Sequence, residues 1–144
     1  MHLTRYTDYA LRILIYLAAK PEGDTVSRIA ESYGISRNHL VKVAHHLGRL
    51  GYIETTRGKS GGLSLVRPPS DINIGSVVRD MEPNFHLVEC FNPAGNACPI
   101  APVCKLKGVM AEAERAFMAA LSAYTLADIV VNRTALLRLL DHEE

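Results

Sequence analysis

Three cysteines are the residues of this sequence best suited to metal chemistry. Cys90, Cys98 and Cys104 fall within fifteen residues, and the chain of 144 residues has no further cysteine. In a reducing compartment, an odd number argues against a disulfide framework and favours a metal, a cluster or a reactive thiol. The Cys-x7-Cys-x5-Cys spacing differs from the paired Cys-x2-Cys of zinc fingers, whereas iron-sulfur clusters tolerate wide spacing. The spacing favours a cluster over a zinc site completed by a histidine such as His86, and over buried structural cysteines.

A fourth ligand is needed if these thiolates hold a cluster. The sequence has no fourth cysteine, so the ligand must be His, Asp, Glu, water or a small molecule. Each of these binds iron more weakly than thiolate does, and an iron held in this way is where an incoming diatomic molecule reacts first. This asymmetry favours a sensor over an electron carrier. The ligand number suits a [4Fe-4S] cluster and also accommodates [2Fe-2S].

The charge of the chain is divided unevenly along its length. Residues 1–67 carry ten Lys/Arg against five Asp/Glu, a net +5, and residues 68–144 carry six against ten, a net −4. A basic half suits a polyanionic partner, because Lys and Arg that neutralise phosphates release condensed counterions. A solvated charged surface is the alternative that charge alone leaves open.

The first half of the sequence has the pattern of a helix-turn-helix. Apolar residues at helical spacing predict helices over residues 7–19 and 26–33, and Ser36 is expected to cap a third helix that runs to Leu50. Gly34 and Gly51 supply the stops. The buried stripe of the third helix is expected to consist of Leu40, Ala44, Leu47 and Leu50.

The remaining segments complete a winged helix and add a long helix. The predicted elements are strands at 52–56 and 63–66, a basic glycine-rich tip at 57–62, a helix at 74–81, a loop at 82–97 and a helix at 101–122. The expected fold is mainly α with a small β-hairpin. We divide it into a winged helix-turn-helix domain at 1–81, a cluster-binding loop at 82–104, and a long dimerisation helix with a C-terminal helical tail at 101–144.

The outward face of the third helix carries groups that bind nucleic acid. Arg37 can address guanine and Asn38 adenine, while Lys42 is suited to phosphate, as are Ser36 and the helix N-terminus. Arg57 and Lys59 lie at the hairpin tip, from which they can reach a minor groove. The order of the elements favours double-stranded DNA over a phosphate-binding loop, since the glycines here run into a strand and not into a helix.

Other classes of protein fit the sequence poorly. It has no paired acid and base constellation, no Ser/His/Asp order and no nucleotide loop, so we expect no enzyme. Its longest apolar run, residues 13–19, is far shorter than the roughly 20 residues of a membrane span. The start of the chain lacks the layout of a signal peptide. We therefore expect a cytoplasmic protein that does not bind membranes.

The chain resembles the winged-helix regulator family that contains the iron-sulfur regulator IscR, and within it the nitric-oxide-sensing repressors. The similarity runs nearly end to end and is specific as a chain of matched segments. The segments are Leu3-Thr4, Thr7-Asp8-Tyr9, Tyr33 to His39, Arg57 to Gly62, Ile74-Gly75, Val77 to Arg79, Cys98, Cys104 to Lys107 and Tyr124 to Asp128.

The resemblance implies a homodimer joined through the long helix, with one cluster in each subunit and a palindromic operator. It implies that nitric oxide nitrosylates the cluster and releases operators of nitric oxide detoxification genes. Relatives of the IscR type place a histidine ligand where this chain has Lys107, and the implied fourth ligand is Asp8 of the partner subunit. Arg12 would hydrogen-bond Asp8 or a cluster sulfide. The alternative for Asp8 is a favourable interaction with the helix dipole.

One position on the recognition helix departs from the IscR type. Relatives of that type carry a glutamate where this chain has Val41. We therefore do not transfer the base preference of those relatives to this position. Operator sequence and target genes remain unassigned by the sequence.

Overall fold

A computed structural model describes residues 1–59 and 61–142 as seven α-helices and one β-hairpin. Ser60, part of the hairpin tip that carries the family resemblance, lies outside the described residues, as do Glu143 and Glu144 of the predicted tail. The elements are α1 (Arg5–Ala19), α2 (Val26–Tyr33), α3 (Arg37–Arg49), β1 (Ile53–Thr56), β2 (Gly62–Leu65), α4 (Ile74–Met81), α5 (Lys105–Ser122), α6 (Leu126–Ile129) and α7 (Arg133–Leu140). The predicted mainly helical fold with a small hairpin is confirmed.

Helix α1 is the centre of the hydrophobic core. It begins two residues earlier than the sequence predicted, because the Thr4 side chain accepts the Thr7 N–H at 3.3 Å and caps the helix there. Ile13, Leu14 and Leu17 are fully or almost fully buried. The first helix of the chain therefore also contributes much of its core.

Helices α2 and α3 form the helix-turn-helix. The bounds of α2 agree with the prediction, since Thr25 accepts the Arg28 N–H and Gly34, at φ +63°, ends the helix. Ser36 occupies the N-cap position of α3, but its side chain makes no capping hydrogen bond. The prediction that Leu50 belongs to the buried stripe is wrong. Helix α3 ends at Arg49 and Gly51 turns the chain, which leaves Leu50 at 37% exposure.

The hairpin is tied to the turn between α1 and α2. Its register pairs Ile53 with Leu65 and Thr56 with Gly62. Asp24 and Leu63 then exchange two backbone hydrogen bonds of 2.7 and 3.1 Å. A Cβ atom on Gly62 would come within 2.7 Å of the Asp24 carbonyl oxygen, so only glycine allows this approach. The base of the wing is thereby fixed to the helical domain.

The C-terminal tail packs against the N-terminal half of the chain. The Leu126 N–H donates to the Ile72 carbonyl at 2.8 Å, and the Ile74 N–H donates to the Tyr124 carbonyl at 3.0 Å. Arg133 Nε in α7 donates to the carbonyl of Ala19 at 2.6 Å. The far end of α5 is therefore anchored to the winged helix, which gives the long helix a fixed direction.

Helix α5 begins four residues later than the sequence predicted. Residues 101–103 form turns, with the Ala101 N–H donating to the Cys98 carbonyl at 3.3 Å. Among residues 82–117, only Ala101 is buried.

In the described ranges, 1–59 and 61–142, no helix combines the length and apolar character that a bilayer crossing requires.

Candidate nucleic-acid interface and cysteine site

The outward face of α3 is exposed along its whole length. Leu40, Val43 and Leu47 are at most 1% exposed and fix the opposite side of the helix in the core. The residues predicted to contact DNA from this region are all exposed, and they are Ser36, Arg37, Asn38 and Lys42. The structure brings these groups together on one surface, as a groove-reading helix requires.

Arg37 is held in place by the first turn of α2. Its Nε atom donates to Ser27 Oγ at 2.9 Å. This contact uses the inner nitrogen of the guanidinium group and leaves the two Nη nitrogens at its outer end, where they can form the paired hydrogen bonds that guanine accepts. The sequence analysis missed Ser27, because the contact crosses from one helix to the next.

A second contact joins the start of α1 to the recognition helix. The Tyr6 hydroxyl lies 3.3 Å from the Lys42 carbonyl oxygen and 3.2 Å from His46 Nδ1. The aromatic rings of Tyr6 and His46 also contact each other in a tilted arrangement, with their centroids 5.7 Å apart. Tyr6 is two residues from Asp8, so the first turn of α1 contacts α3 directly. Sequence reasoning missed Tyr6, whose partners are about forty residues away.

The wing tip presents two exposed basic residues, Arg57 and Lys59. Gly58 adopts φ +111°, a conformation that side-chain-bearing residues rarely adopt. A Cβ atom on Gly61 would clash with the Thr56 carbonyl oxygen. The glycines therefore form a compact tip that directs a basic patch away from the domain body.

The three cysteines lie on the segment that joins α4 to α5. Cys90 is in a 3-10 turn (Glu89–Phe91), and Cys104 is the N-cap residue of α5. All three are free thiols and half-buried. The N-terminus of a long helix favours negative charge, so the position of Cys104 suits an anionic ligand.

Glu89 connects the segments that carry the first two cysteines. Its carboxylate accepts the Ala97 N–H, which joins the residue before Cys90 to the residue before Cys98. The Cys98 N–H in turn donates to Asn96 Oδ1 at 3.1 Å. Sequence reasoning did not identify Glu89, since an acidic residue in a loop carries no distinctive pattern.

The three free thiols of this segment are the type of donor that iron-sulfur clusters bind. Within the part of the chain that the structure describes, no three His, Cys, Asp or Glu side chains are close enough to share one metal ion. The proposed zinc ligand His86 is exposed and is not grouped with the thiols. A tetrahedral ion draws its ligands to one point, whereas the corners of a cluster hold thiolates farther apart. Three free thiols on a short loop fit the larger group.

Asp8 and Arg12 form a paired contact on the surface of α1. Arg12 Nη2 lies 2.8 Å from Asp8 Oδ2, and Arg12 Nε lies 3.2 Å from Asp8 Oδ1. Hydrogen bonding to Asp8 raises the pKa of Arg12. The guanidinium also lies over the rings of Tyr9 and Tyr33, at 5.9 and 5.7 Å from their centroids. Both members of the pair are more than one-third exposed, so the Asp8 carboxylate is accessible.

Comparison with known proteins gives consistent matches. The family model Rrf2, described as an iron-dependent transcriptional regulator, matches residues 3–132. The HTH-type transcriptional regulator NsrR of Bacillus subtilis (strain 168) is 52% identical over 146 residues, which cover 100% of both chains. The protein of the same name from Halalkalibacterium halodurans is 50% identical over 142 residues and 97% of each chain.

Solved structures share the fold. T. potens IscR has a TM-score of 0.74 at 24% identity, covering 92% of this chain and 88% of that chain. CymR, described as the global cysteine regulator of B. subtilis, has a TM-score of 0.71 at 25% identity, covering 90% and 95%. The expectation that the chain is not an enzyme is confirmed, since the relatives are transcription regulators. The chain belongs to the Rrf2 family of winged-helix transcription regulators.

Proposed function

We propose that this protein is a repressor that senses nitric oxide through a bound iron-sulfur cluster and then releases operators of nitric oxide detoxification genes. The observation that carries the proposal is the presence, in one chain, of an exposed polar and basic face on the second helix of a helix-turn-helix and three free thiols on the segment between α4 and α5. Sequence identities of 52% and 50% to regulators named NsrR support nitric oxide as the proposed signal. The proposed location is the cytoplasm, where bacterial DNA lies.

The proposed DNA contacts divide into base reading and phosphate binding. Arg37 and Asn38 read base edges in the major groove. Lys42 and Ser36 bind phosphate near the N-terminus of α3. Arg57 and Lys59 of the wing enter the adjacent minor groove. Two such units bind the two halves of a palindromic operator, so their separation is fixed by the repeat of the DNA.

Cys90, Cys98 and Cys104 are the proposed cluster ligands, and Asp8 of the partner subunit is the fourth. A [4Fe-4S] cluster is proposed, with [2Fe-2S] as the alternative. When bound, the cluster supplies iron that nitric oxide nitrosylates. The chain's own role is to hold three ligands firmly and one weakly: the Glu89 contact and the α5 N-terminus position the thiols, while the exposed Asp8 carboxylate can exchange between Arg12 and iron.

A homodimer is proposed because the N-terminal half of α5 lacks a covering surface. Leu106 and Val109 are 60% and 58% exposed, and Val103 just before the helix is 82% exposed. An open groove of about 690 Å³, with apolar walls that include Phe85 and Phe117, lies beside the other end of the helix. Neighbouring exposed apolar side chains are typical of an interface, and an α5 helix from a second copy would cover them.

The proposed switch uses the first turn of α1. Asp8 stands on the same turn as Tyr6, whose hydroxyl lies against the backbone and His46 side chain of α3. Release of Asp8 from the cluster of the partner subunit would free this turn and change the spacing of the two recognition helices. Small rotations are sufficient, since half-site spacing is a geometric requirement.

Anaerobic purification followed by iron and sulfide analysis tests the proposal. The loaded protein should bind its operator tightly, and stoichiometric nitric oxide should release it, as measured by fluorescence anisotropy. Cys98→Ala serves as the matched control that lacks the cluster from the start. Operator binding that is unaffected by nitric oxide would contradict the proposal.

A regulator of cluster supply or general redox state is the alternative function. It keeps the same fold, and the structural neighbours IscR and CymR differ in name from the NsrR relatives. Oxidation without nitric oxide would release the operator in that case. An electron carrier or a zinc protein is a weaker candidate, and redox cycling without DNA binding, or zinc retention by the purified protein, would favour one of these.

A further inference from the structure

An apolar side chain interrupts the polar outward face of α3. Val41 is 38% exposed, whereas the helix's other valine, Val43, is 1% exposed. Its neighbours along the exposed face are Arg37, Asn38, Lys42 and His45. Single exposed apolar residues need no explanation by themselves. This one lies on the surface that is proposed to enter the major groove, so its chemistry bears on what that surface reads.

The exposed row that contains Val41 continues to Gly48, at i+7, whereas Ala44, at i+3, is 7% exposed and packs in the core. A Cβ atom on Gly48 would have the Ile53 carbonyl oxygen as its nearest neighbour, at 3.8 Å. Because Gly48 has no side chain, the helix backbone can approach the floor of a groove at this position. The exposed branched side chain of Val41, two turns earlier, can then reach the base edges.

We infer that Val41 is a specificity-determining residue that contacts the C5-methyl group of a thymine in each half-site. The major-groove edge of a base pair offers one apolar group, the thymine methyl, and small apolar side chains recognise it by contact. Asn38, one turn before Val41 on the same face, is suited to the adenine of an A·T pair. The inference rests on the proposed DNA-binding function and adds the type of base read at one position.

Removal of single thymine methyl groups tests this inference. An operator is first selected by the anaerobically reconstituted, full-length protein from a pool of random DNA duplexes. Each thymine of the selected half-site is then replaced by deoxyuridine, which lacks only the methyl group, and affinity is measured by fluorescence anisotropy. One position per half-site should weaken wild-type binding by roughly threefold to tenfold, the size expected for one buried methyl group.

Substitutions at positions 41 and 42 separate loss of the thymine-methyl contact from a general weakening of DNA binding. Val41→Ala introduces the best helix former at an exposed position, so folding is retained, and it should bind the thymine and deoxyuridine operators equally. Lys42→Ala, the matched control on the next residue, should weaken binding to all operators alike and keep the methyl effect. A conservative Val41→Ile variant should also keep it.

The outcomes distinguish this inference from the function on which it rests. Selective binding with no sensitive thymine, or a methyl effect of equal size in Val41→Ala, would overturn the role of Val41 while leaving the DNA-binding proposal intact. Failure of the wild-type protein to enrich any sequence would overturn both.

Discussion

The winged helix and the cysteine segment differ in how completely this chain covers them. In residues 1–81, helices are capped by side chains, the wing is hydrogen-bonded to the α1–α2 turn, and the core is continuous. In residues 82–117, only Ala101 is buried. The first region is complete within one subunit. The second leaves most of its side chains exposed, and the proposed cluster and second subunit would cover them.

This difference indicates where the regulatory signal acts. A region with few buried contacts opens at low free-energy cost, and switching elements are drawn from such regions. In the proposed function, the cysteine segment responds to the signal and the winged helix binds or releases the DNA.

Cys98→Ala should remove the function of the cysteine segment while leaving the winged helix folded. We expect loss of bound iron and sulfide, and loss of sequence-specific DNA binding, because two thiolates cannot retain the cluster. The far-UV circular dichroism of the domain should not change, since Cys98 lies outside the core. Ala97→Ser on the preceding exposed residue is the control and should retain the cluster. Retained iron in Cys98→Ala would contradict the ligand assignment.

Leu106→Glu should separate the subunits. A charge on the uncovered stripe of α5 makes the proposed interface unfavourable, so sedimentation should show a monomer. Operator affinity should fall by roughly 10²-fold, because the two half-sites then bind independently. Gly108→Glu adds the same charge on the opposite side of the helix, where a new side chain meets open space. If both variants stay dimeric, the dimer does not form through this stripe.

Asp8→Ala and Arg12→Ala should have different effects on the cluster, although Arg12→Ala also removes the contacts of the guanidinium with the rings of Tyr9 and Tyr33. Both remove the same exposed ion pair, which is worth roughly 0.2–1 kcal/mol. Only Asp8→Ala removes the proposed ligand. Cluster loss to a chelator should then accelerate about tenfold or more, since even residues that merely support a ligand change metal affinity by roughly 10–100-fold. Identical loss rates in the two variants would remove Asp8 from the ligand set.

Tyr33→Phe should change the stability of the winged helix at alkaline pH and leave the cysteine segment unaffected. Burial raises the pKa of Tyr33 to about 12, and an unfolded tyrosine has a pKa of about 10. The unfolded state loses its proton first, so the stabilisation is present below about pH 10 and is lost as pH rises towards 12. Urea midpoints of the metal-free protein should fall less steeply in this range for Tyr33→Phe.

The exposed Tyr124→Phe is the control for this change and should keep the wild-type slope. The variant Tyr33→Phe should also lose about 1 kcal/mol at neutral pH, because the hydroxyl donates to the Arg12 carbonyl at 3.0 Å. An unchanged alkaline slope would mean that Tyr33 ionises equally in both states.

Local sequence signals predicted the winged helix well and the cysteine segment poorly. The bounds of α2 and α4 agree with the prediction, because Thr25 and Gly34 determine the ends of α2 by local chemistry. The start of α5 was predicted too early. The apolar pattern extends back to Ala101, but Pro102 disfavours the helical conformation of the residue before it, and the chain forms turns until Cys104, the N-cap residue of the helix.

Contacts between distant residues could not be predicted from patterns. Tyr6 contacts residues of α3 about forty positions away, and Arg37 is positioned by Ser27 of another helix. Such pairings depend on the tertiary arrangement and leave no periodic trace. The individual site residues were identifiable by type and exposure. The bonds that orient them were not.

The most direct test of this division between the cysteine segment and the winged helix is the selectivity of the metal-free protein. Loaded, nitric-oxide-treated and metal-free forms are compared anaerobically, each for affinity to the operator and to a scrambled duplex at the same salt concentration. The loaded form should prefer the operator, and the other two should bind both duplexes with similar weak affinity. A metal-free form that distinguishes the two duplexes as well as the loaded form would contradict cluster control of DNA binding.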